Sequence, residues 1–226
     1  MKKHVALIFI VCASLCYNCQ ENLNDFYYPF YKKTETRVYK YVDQKDPTKT
    51  EYWKITSSPE TNELKTVSYD YEFNSYNIFN EKITKNGAEC IGYSDIEMKE
   101  NKEKREIKGK VLDKDVFKWN GDKKYSYSIK SGNKYGLFIF KKTREELGLS
   151  NITVNGIKHK TIKFKDNYMI LDLDQNVKQV FYQYSYYAKG IGMIKYERKI
   201  PVQKDPVVLE LLEILSEQEF EKMKSQ

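Results

Sequence analysis

Two carboxylates, Asp172 and Asp174, have the type and spacing that acid–base or calcium chemistry would need. They lie two residues apart in the segment Leu-Asp-Leu-Asp, so on a β-strand both side chains would point to one face. Paired carboxylates on one face can bind Ca²⁺ or act as the acid and base of glycoside hydrolysis. The same alternation is typical of the water-facing side of a half-buried strand. We therefore expect a surface pair, with a carboxylate-dependent hydrolase as the alternative.

Histidine and cysteine offer little for metal binding or nucleophilic catalysis. Outside the N-terminal segment the sequence has one histidine, His159, and one cysteine, Cys90. A zinc site needs at least three protein ligands, and a nucleophile–histidine pair would have to use His159, which no nucleophile motif accompanies. We therefore predict no catalytic residues, no metal site and no cofactor, and we expect that the protein is not an enzyme.

The densest aromatic patch is a stripe of tyrosines. Tyr182, Tyr184 and Tyr186 alternate with other residues, so on a strand they project from one face. If the sheet is curved and open, such a face could hold an apolar or glycan ligand. Aromatic residues at this spacing also pack on neighbouring strands and stabilise a sheet. These three tyrosines are the ligand-binding residues that the sequence predicts.

Residues 1–18 have the pattern of a bacterial export signal, and Cys19 follows directly. Two lysines precede an apolar run from Val5 to Leu15, which is shorter than the roughly 20 residues of a membrane-spanning helix. The polar stretch after Cys19 is typical of the soluble tether of a lipoprotein. We predict that the signal is removed, that Cys19 is lipidated and that residues 19–27 form a tether.

Two other ways of processing this segment stay open. Cys16 is a competing lipidation site, and an ordinary secretory signal cut near Ala13 or Ser14 would leave no lipid. If Cys19 is acylated, Cys90 is a lone thiol of the kind usually buried as a small apolar residue. If Cys19 is not acylated, a disulfide between Cys19 and Cys90 becomes possible in an oxidising compartment.

Period-two alternation of apolar and polar residues predicts that the rest of the chain is mainly β. The clearest example runs from residue 66 to residue 73. Asn-Gly pairs at 86–87, 120–121 and 155–156 are typical of two-residue hairpin turns, where both positions favour positive φ. Spacing of roughly 8–12 residues between such turns favours an antiparallel meander, sandwich or open barrel. We predict a single β-rich domain over residues 28–226.

The last twenty or so residues have a different pattern. Asp205 and Pro206 provide an N-cap and a first-turn proline. Apolar residues follow at helical spacing, namely Val208, Leu211, Leu212 and Leu215. We predict a C-terminal α-helix over residues 206–224 that packs across the open end or one face of the sheet. A partner-binding or membrane-lying helix is the alternative, and its many glutamates disfavour an anionic lipid surface.

Composition and charge exclude some partners. The formal net charge is +7, and the lysines are spread through the chain instead of being gathered in one block. A mixed surface of this kind gives little support to nucleic-acid binding. The 20 tyrosines are unusual, and tyrosine suits strands that have one apolar face and one wet face.

Two short motifs resemble a group of secreted bacterial proteins that have a curved antiparallel half-barrel, distantly similar to the lipoprotein carrier LolA. The first is Tyr-Pro-Phe at residues 28–30 with the aromatic strand at 37–41, and the second is Tyr-Ala-Lys-Gly-Ile-Gly-Met-Ile-Lys at 187–195. The Cys-Gln-Glu at 19–21 and the composition rich in Lys, Tyr and Asn also resemble lipoproteins of Bacteroidota. The resemblance implies a mainly β, LolA-like meander or half-barrel and an exported compartment, and it implies no catalytic residues.

Together these observations predict an exported lipoprotein of the cell envelope, on the periplasmic side or at the cell surface, that reaches the membrane through its lipid anchor. We expect a non-catalytic binding module for an apolar ligand or an envelope protein partner. The first alternative is a periplasmic immunity or accessory protein that masks a toxin or a component of a secretion machine. The second is the carboxylate-dependent hydrolase.

Overall fold

The computed structural model describes residues 22–99, 103–119, 121–133 and 136–225, and within these ranges the chain is one closed antiparallel barrel. Each strand pairs with the next one along the chain, and the last strand pairs with the first. The twelve strands of the described residues are β1 (Glu35–Val42), β2 (Glu51–Ser58), β3 (Glu63–Tyr69), β4 (Ser75–Ile83), β5 (Gly87–Met98), β6 (Lys104–Lys118), β7 (Lys124–Asn133), β8 (Gly136–Val154), β9 (Ile157–Asp172), β10 (Val177–Ala188), β11 (Gly192–Lys199) and β12 (Val207–Ser216). Two 3-10 helices (Leu23–Phe26 and Pro47–Lys49) and one α-helix, α1 (Glu217–Lys224), complete the described elements.

The prediction of a mainly β meander is confirmed, but the predicted open half-barrel is wrong. The strand that closes the barrel is β12, which pairs with β11 on one side and with β1 on the other. Closure satisfies the backbone groups that an open sheet would leave unpaired at its two edge strands.

The predicted helix over residues 206–224 is also wrong over most of its length. Residues 207–216 form β12, and the helix begins only at Glu217. Val207, Leu209 and Leu211 alternate as in a strand, whereas the residues from which the helix was predicted have helical spacing. The segment forms a strand because β1 and β11 each offer an edge with which it pairs. Ser216 then caps α1 through a capping box with Glu219.

The turn chemistry read from the sequence is confirmed at the β8–β9 hairpin. Asn155 has φ 50° and Gly156 has φ 77°, so both positions of the Asn-Gly pair are left-handed as a type I′ turn requires. The pair at 86–87 lies at the β4–β5 hairpin, where Gly87 is the first residue of β5. Asn120 of the third pair lies outside the described residues.

The segment predicted as a tether belongs in part to the barrel core. Phe26 is fully buried and Tyr27 is buried, with the Tyr27 ring 4.7 Å from the ring of Phe117. The Lys189 ammonium lies 3.2 Å from the Asp25 carboxylate, which ties this segment to the β10–β11 turn. The domain therefore begins near Leu23. The predicted signal and Cys19 lie outside the described residues.

Apolar side chains pack on both sides of the barrel wall. The larger cluster lies inside the barrel, and a smaller one lies outside, where α1 covers the outer face of β1, β2 and β3. The outer cluster consists of Val38, Tyr52, Tyr69, Leu215 and Phe220. Of the helices in the described ranges, none combines the length and apolar character needed to cross a membrane.

Candidate functional site

The interior of the barrel contains a cavity of about 380 Å³. Because side chains alternate along each strand, every second residue points into the barrel. Eleven of the 23 residues that line the cavity are aromatic, and they come from strands on several sides of the barrel. The aromatic lining residues are Tyr27, Tyr28, Trp53, Tyr76, Phe79, Tyr93, Tyr127, Phe140, Tyr168, Phe181 and Tyr187.

A buried ion cluster forms part of the same wall. Arg144 on β8 pairs with Asp166 on β9 through two bonds, Nε to Oδ1 at 2.7 Å and Nη2 to Oδ2 at 3.1 Å. The Lys142 ammonium lies 3.2 Å from the same carboxylate. The side chains of Arg144 and Asp166 are 2% and 0% exposed, so solvent screens this cluster very little.

The protonation states of the cluster follow from two cations that share one carboxylate. Burial by itself would raise the pKa of Asp166, but the charges of Arg144 and Lys142 outweigh it and hold the pKa at about 2. Burial and the neighbouring charge of Arg144 lower the pKa of Lys142 to about 8, although Asp166 opposes them. The cluster therefore carries one positive charge in excess at neutral pH.

Strand register extends this cluster into a polar row of four residues, Arg144, Asp166, Gln183 and Arg198. They lie directly opposite one another on β8, β9, β10 and β11. Arg198 Nε donates to Gln183 Oε1 at 3.1 Å, and Gln183 Nε2 donates to Ser185 Oγ at 2.9 Å. Ser185 Oγ in turn donates to Asp166 Oδ2 at 2.6 Å. Bridged by Ser185, the polar row is thus one continuous hydrogen-bonded chain across four of the twelve strands.

Aromatic rings enclose the guanidinium of Arg144. Its Cζ lies 4.9 Å from the ring centre of Phe164, 5.0 Å from that of Tyr187 and 5.6 Å from that of Phe117. Arg144 Nη2 also donates to the Tyr187 hydroxyl at 3.0 Å. Cation–π contacts and hydrogen bonds therefore fix this side chain and leave it little freedom to move.

Glu81 on β4 is a second buried carboxylate at the cavity. It is 3% exposed and accepts a hydrogen bond from the Tyr27 hydroxyl. Burial raises its pKa to about 7, and the Tyr27 hydrogen bond and the charges of Arg144 and Lys142 offset only part of that rise. Glu81 is therefore a cavity carboxylate whose pKa is raised into the neutral range.

The predicted ligand-binding tyrosines lie on the opposite side of the wall from the cavity. Gln183 and Tyr187 line the cavity, and Tyr182, Tyr184 and Tyr186 alternate with them on β10 and point outward. Lysines of β9 cover these rings: Lys163 Nζ lies 4.3 Å from the Tyr184 centroid and 5.2 Å from that of Tyr186, and Lys165 Nζ lies 5.3 Å from that of Tyr182. Tyr182 lines a separate pocket of about 640 Å³ together with residues such as Val180 and Ile200. The stripe therefore lies outside the central cavity, and its part in binding stays a prediction.

The acidic pair and the histidine also lie away from the cavity. Asp172 Oδ1 accepts from the backbone N–H groups of Asp174 and Gln175, both at 2.9 Å, and Asp174 Oδ2 accepts from Leu137 N at 2.9 Å. Both carboxylates thus hold the β9–β10 turn in place. His159 lies in β9 opposite Ile152, near the β8–β9 turn. Among the described residues no group of three or more His, Cys, Asp or Glu could hold a metal ion.

The sequence analysis did not identify the polar row, although β9 contains a signal for it. Ile162, Phe164, Asp166 and Tyr168 occupy alternate positions that point into the barrel, while Lys163 and Lys165 point outward. Asp166 is thus a charge in an otherwise apolar inward series. Recognising it as a site would have required its partner on β8, 22 residues away in the sequence.

Comparisons with known proteins give no family for this chain. No protein-family model matches it, and neither does any curated protein. A solved structure from Parabacteroides distasonis, provisionally described as a lipoprotein, is 14% identical and covers 82% of this chain and 97% of its own, with a TM-score of 0.49. Another from Bacteroides fragilis, provisionally described as an exported protein with a YmcC-like fold, is 10% identical and covers 84% and 99%, with a TM-score of 0.42. Likenesses this distant carry no conclusion about function.

Proposed function

We propose that this protein is an exported, lipid-anchored binding module of the cell envelope that holds a small, largely apolar molecule inside its barrel. The observation that carries the proposal is the aromatic-lined cavity of about 380 Å³. Ligand sites are typically concave, mostly apolar and roughly 300–1,000 Å³ in volume, with a few polar groups that orient the ligand. The cavity has this size, and the polar row and Glu81 supply such groups.

Binding is favoured over hydrolysis by the state of the charged groups. Asp166 is paired with two cations and holds its proton only near pH 2, so it is a poor general acid or base at neutral pH. Asp172 and Asp174, the carboxylates of the hydrolase alternative, bond to backbone N–H groups at a turn. The cavity wall is rich in aromatic rings suited to hold a ligand, and its carboxylate with a pKa near neutrality, Glu81, is hydrogen-bonded to Tyr27.

The binding proposal can be tested with uncharged probes on the purified full-length protein. Calorimetric titration with 2-naphthamide and decanamide should give one site per chain. Ser68 lines the cavity, so Ser68→Trp should fill part of it and weaken binding at least tenfold. Ser126 lies between the inward residues Tyr125 and Tyr127 and points outward, so Ser126→Trp is the matched control. Equal affinity in the two variants, at similar thermal midpoints, would contradict binding inside the barrel.

The anchor is tested separately by the intact mass of the protein extracted from the membrane fraction of its host. A mass equal to residues 19–226 plus acyl chains supports lipidation at Cys19. An unmodified species that begins before or after Cys19 would remove the anchor from the proposal. That result would leave the cavity proposal unchanged, because the two rest on different parts of the chain.

A further inference from the structure

We infer that the ligand of this barrel is a monoanion with an apolar body, and that Arg198 and Lys142 bind its carboxylate head. This inference rests on the proposed function and specifies the class of molecule that the cavity takes. It is argued from the hydrogen bonds that Arg198 makes, from the balance of charge along the cavity wall and from the rings that face the polar row.

Arg198 has unused hydrogen-bonding capacity at the cavity. Its Nε donates to Gln183, and no other hydrogen bond or ion pair of its guanidinium is formed among the described residues. Arg198 lines the cavity, and its terminal nitrogens keep some accessible surface there. The guanidinium lies 5.0 Å from the Tyr196 ring centre, and that ring together with Gln183 holds it in place. A planar fork with free N–H groups is the arrangement that binds a carboxylate through two bonds.

The charges along the wall leave room for one negative charge. Three cations line the cavity, Lys142, Arg144 and Arg198. Asp166 offsets one of them, and Glu51, which accepts a hydrogen bond from Trp53 Nε1 at 3.0 Å, offsets another. Glu81 is the remaining carboxylate of the lining, and it retains its proton up to about pH 7. One cation in excess fits a carboxylate head better than a dianionic phosphate.

Lys142 and Arg198 act on one region of the cavity. Both line the cavity, and Lys142 is the inward residue of β8 next to Arg144 in the polar row that ends at Arg198. Lys142 Nζ is 5.2 Å from the ring centre of Tyr168. The charge of Arg198 contributes to the lowered pKa of Lys142 and opposes the raised pKa of Tyr168, so both lie within electrostatic reach of Arg198. An anion between the two cations would relieve their repulsion.

The walls next to these cations fit an apolar body. Tyr168 stacks on Phe181 with ring centres 4.6 Å apart and an angle of 6° between the planes. Phe140 packs on Tyr168 at 5.8 Å and on Tyr127 at 5.9 Å. Since water takes about 30 Å³ per molecule in the liquid, the cavity has space for a ligand of about a dozen non-hydrogen atoms. A bicyclic aryl carboxylate or a medium-chain fatty acid meets both requirements.

The inference is tested with two probes that share one body and differ in charge, 2-naphthoate and 2-naphthamide, titrated calorimetrically into the full-length protein at pH 6, where Glu81 is mainly protonated. We expect the acid to bind about 10- to 100-fold more tightly than the amide, as one charge-assisted interaction with a half-buried guanidinium allows. Arg198→Gln should reduce that ratio to below threefold. Arg105→Gln, which removes an exposed arginine of β6, should leave the ratio unchanged.

Each outcome decides one of the two proposals. If acid and amide bind equally well, the anionic head is refuted and the binding cavity stands. If neither binds, and decanamide and decanoate also fail, the binding cavity itself is refuted. An acid preference that survives in Arg198→Gln would overturn the role of Arg198. If Arg198→Gln does not fold, the ratio of acid to amide affinity is compared between the unaltered chain and Lys142→Met. A ratio that Lys142→Met leaves unchanged would then refute the binding of the carboxylate head by Lys142.

Discussion

Glu81 should make this protein less stable as the pH rises towards neutrality, and Glu81→Gln should remove that dependence. The pKa of Glu81 rises from 4.5 to about 7 in the folded state, mainly because the carboxylate is buried. Each pKa unit corresponds to about 1.4 kcal/mol, so ionising Glu81 inside the barrel costs up to about 3 kcal/mol relative to the unfolded chain. The pKa of about 7 already includes the effect of the Tyr27 hydrogen bond, which lowers it.

The direction follows from proton uptake. Between pH 4.5 and about 7 the folded protein holds a proton on Glu81 that the unfolded chain has lost, so raising the pH favours unfolding. The contribution of Glu81 is complete below pH 4.5 and is lost as the pH rises through 7. Asp166 acts in the opposite sense but at lower pH, and Lys142 titrates near pH 8. Over pH 5 to 7.5 we therefore expect a loss of about 2 kcal/mol that is due to Glu81.

The assay is urea denaturation of the unmodified protein and of Glu81→Gln at half-unit steps from pH 5 to 7.5. The glutamine cannot ionise but can still accept the hydrogen bond from Tyr27, so its stability should stay level and exceed that of the unmodified protein above pH 6. Glu60→Gln removes an exposed carboxylate from the β2–β3 turn and should keep the full pH dependence. A stability that rises over this range, or a slope that persists in Glu81→Gln, would refute the reasoning.

Three further predictions concern the interior. Asp166→Asn should lower the free energy of unfolding by about 3–5 kcal/mol in urea titrations, because two buried cations lose their carboxylate; a loss below about 1 kcal/mol would contradict the ion cluster. Gly192→Ala should lower the thermal midpoint more than Gly121→Ala. Both glycines have φ near 100°, but of the two only Gly192 would place a Cβ against another side chain, the Tyr28 ring. Equal losses would mean that backbone strain alone matters. The Cys90 thiol is 2% exposed, and burial and the nearby Glu81 raise its pKa to about 12. It should therefore react with iodoacetamide only as fast as the protein unfolds. Rapid labelling of the folded protein would contradict the burial of this thiol.

The fold was predictable as far as local signals reach. Alternation and Asn-Gly turns indicate antiparallel hairpins, and Asn155 and Gly156 adopt the expected conformations. Closure was not predictable, because it depends on the pairing of β12 with β1, which joins residues about 170 positions apart. The segment 207–216 satisfies both helical and strand spacing, so only those tertiary partners determine its state.

The candidate site was harder to predict for the same reason. The sequence analysis placed the ligand on the face of β10 with more tyrosines, whereas the cavity takes Gln183 and Tyr187 from the other face of that strand. Which face of a strand is concave depends on the direction in which the barrel curls, and period-two alternation contains no information on that direction. Charged residues inside the barrel also contradict the usual assignment of lysine and arginine to the surface.

The polar row is hard to explain by stability alone. Moving Lys142 and the two arginines of the polar row, with their carboxylate partners, out of water carries a large desolvation penalty. Well-packed apolar residues in place of a buried ion pair are often as stable or more so. Arg144 and Asp166 satisfy each other, so that pair is compatible with a purely structural role. Arg198 is different, because most of its N–H groups have no partner within the described residues and it faces a cavity. A donor set that no described side chain satisfies, at an aromatic-lined cavity, is the arrangement expected of a barrel that binds an anion. For this reason we place the ligand at Arg198 and not at the tyrosine stripe.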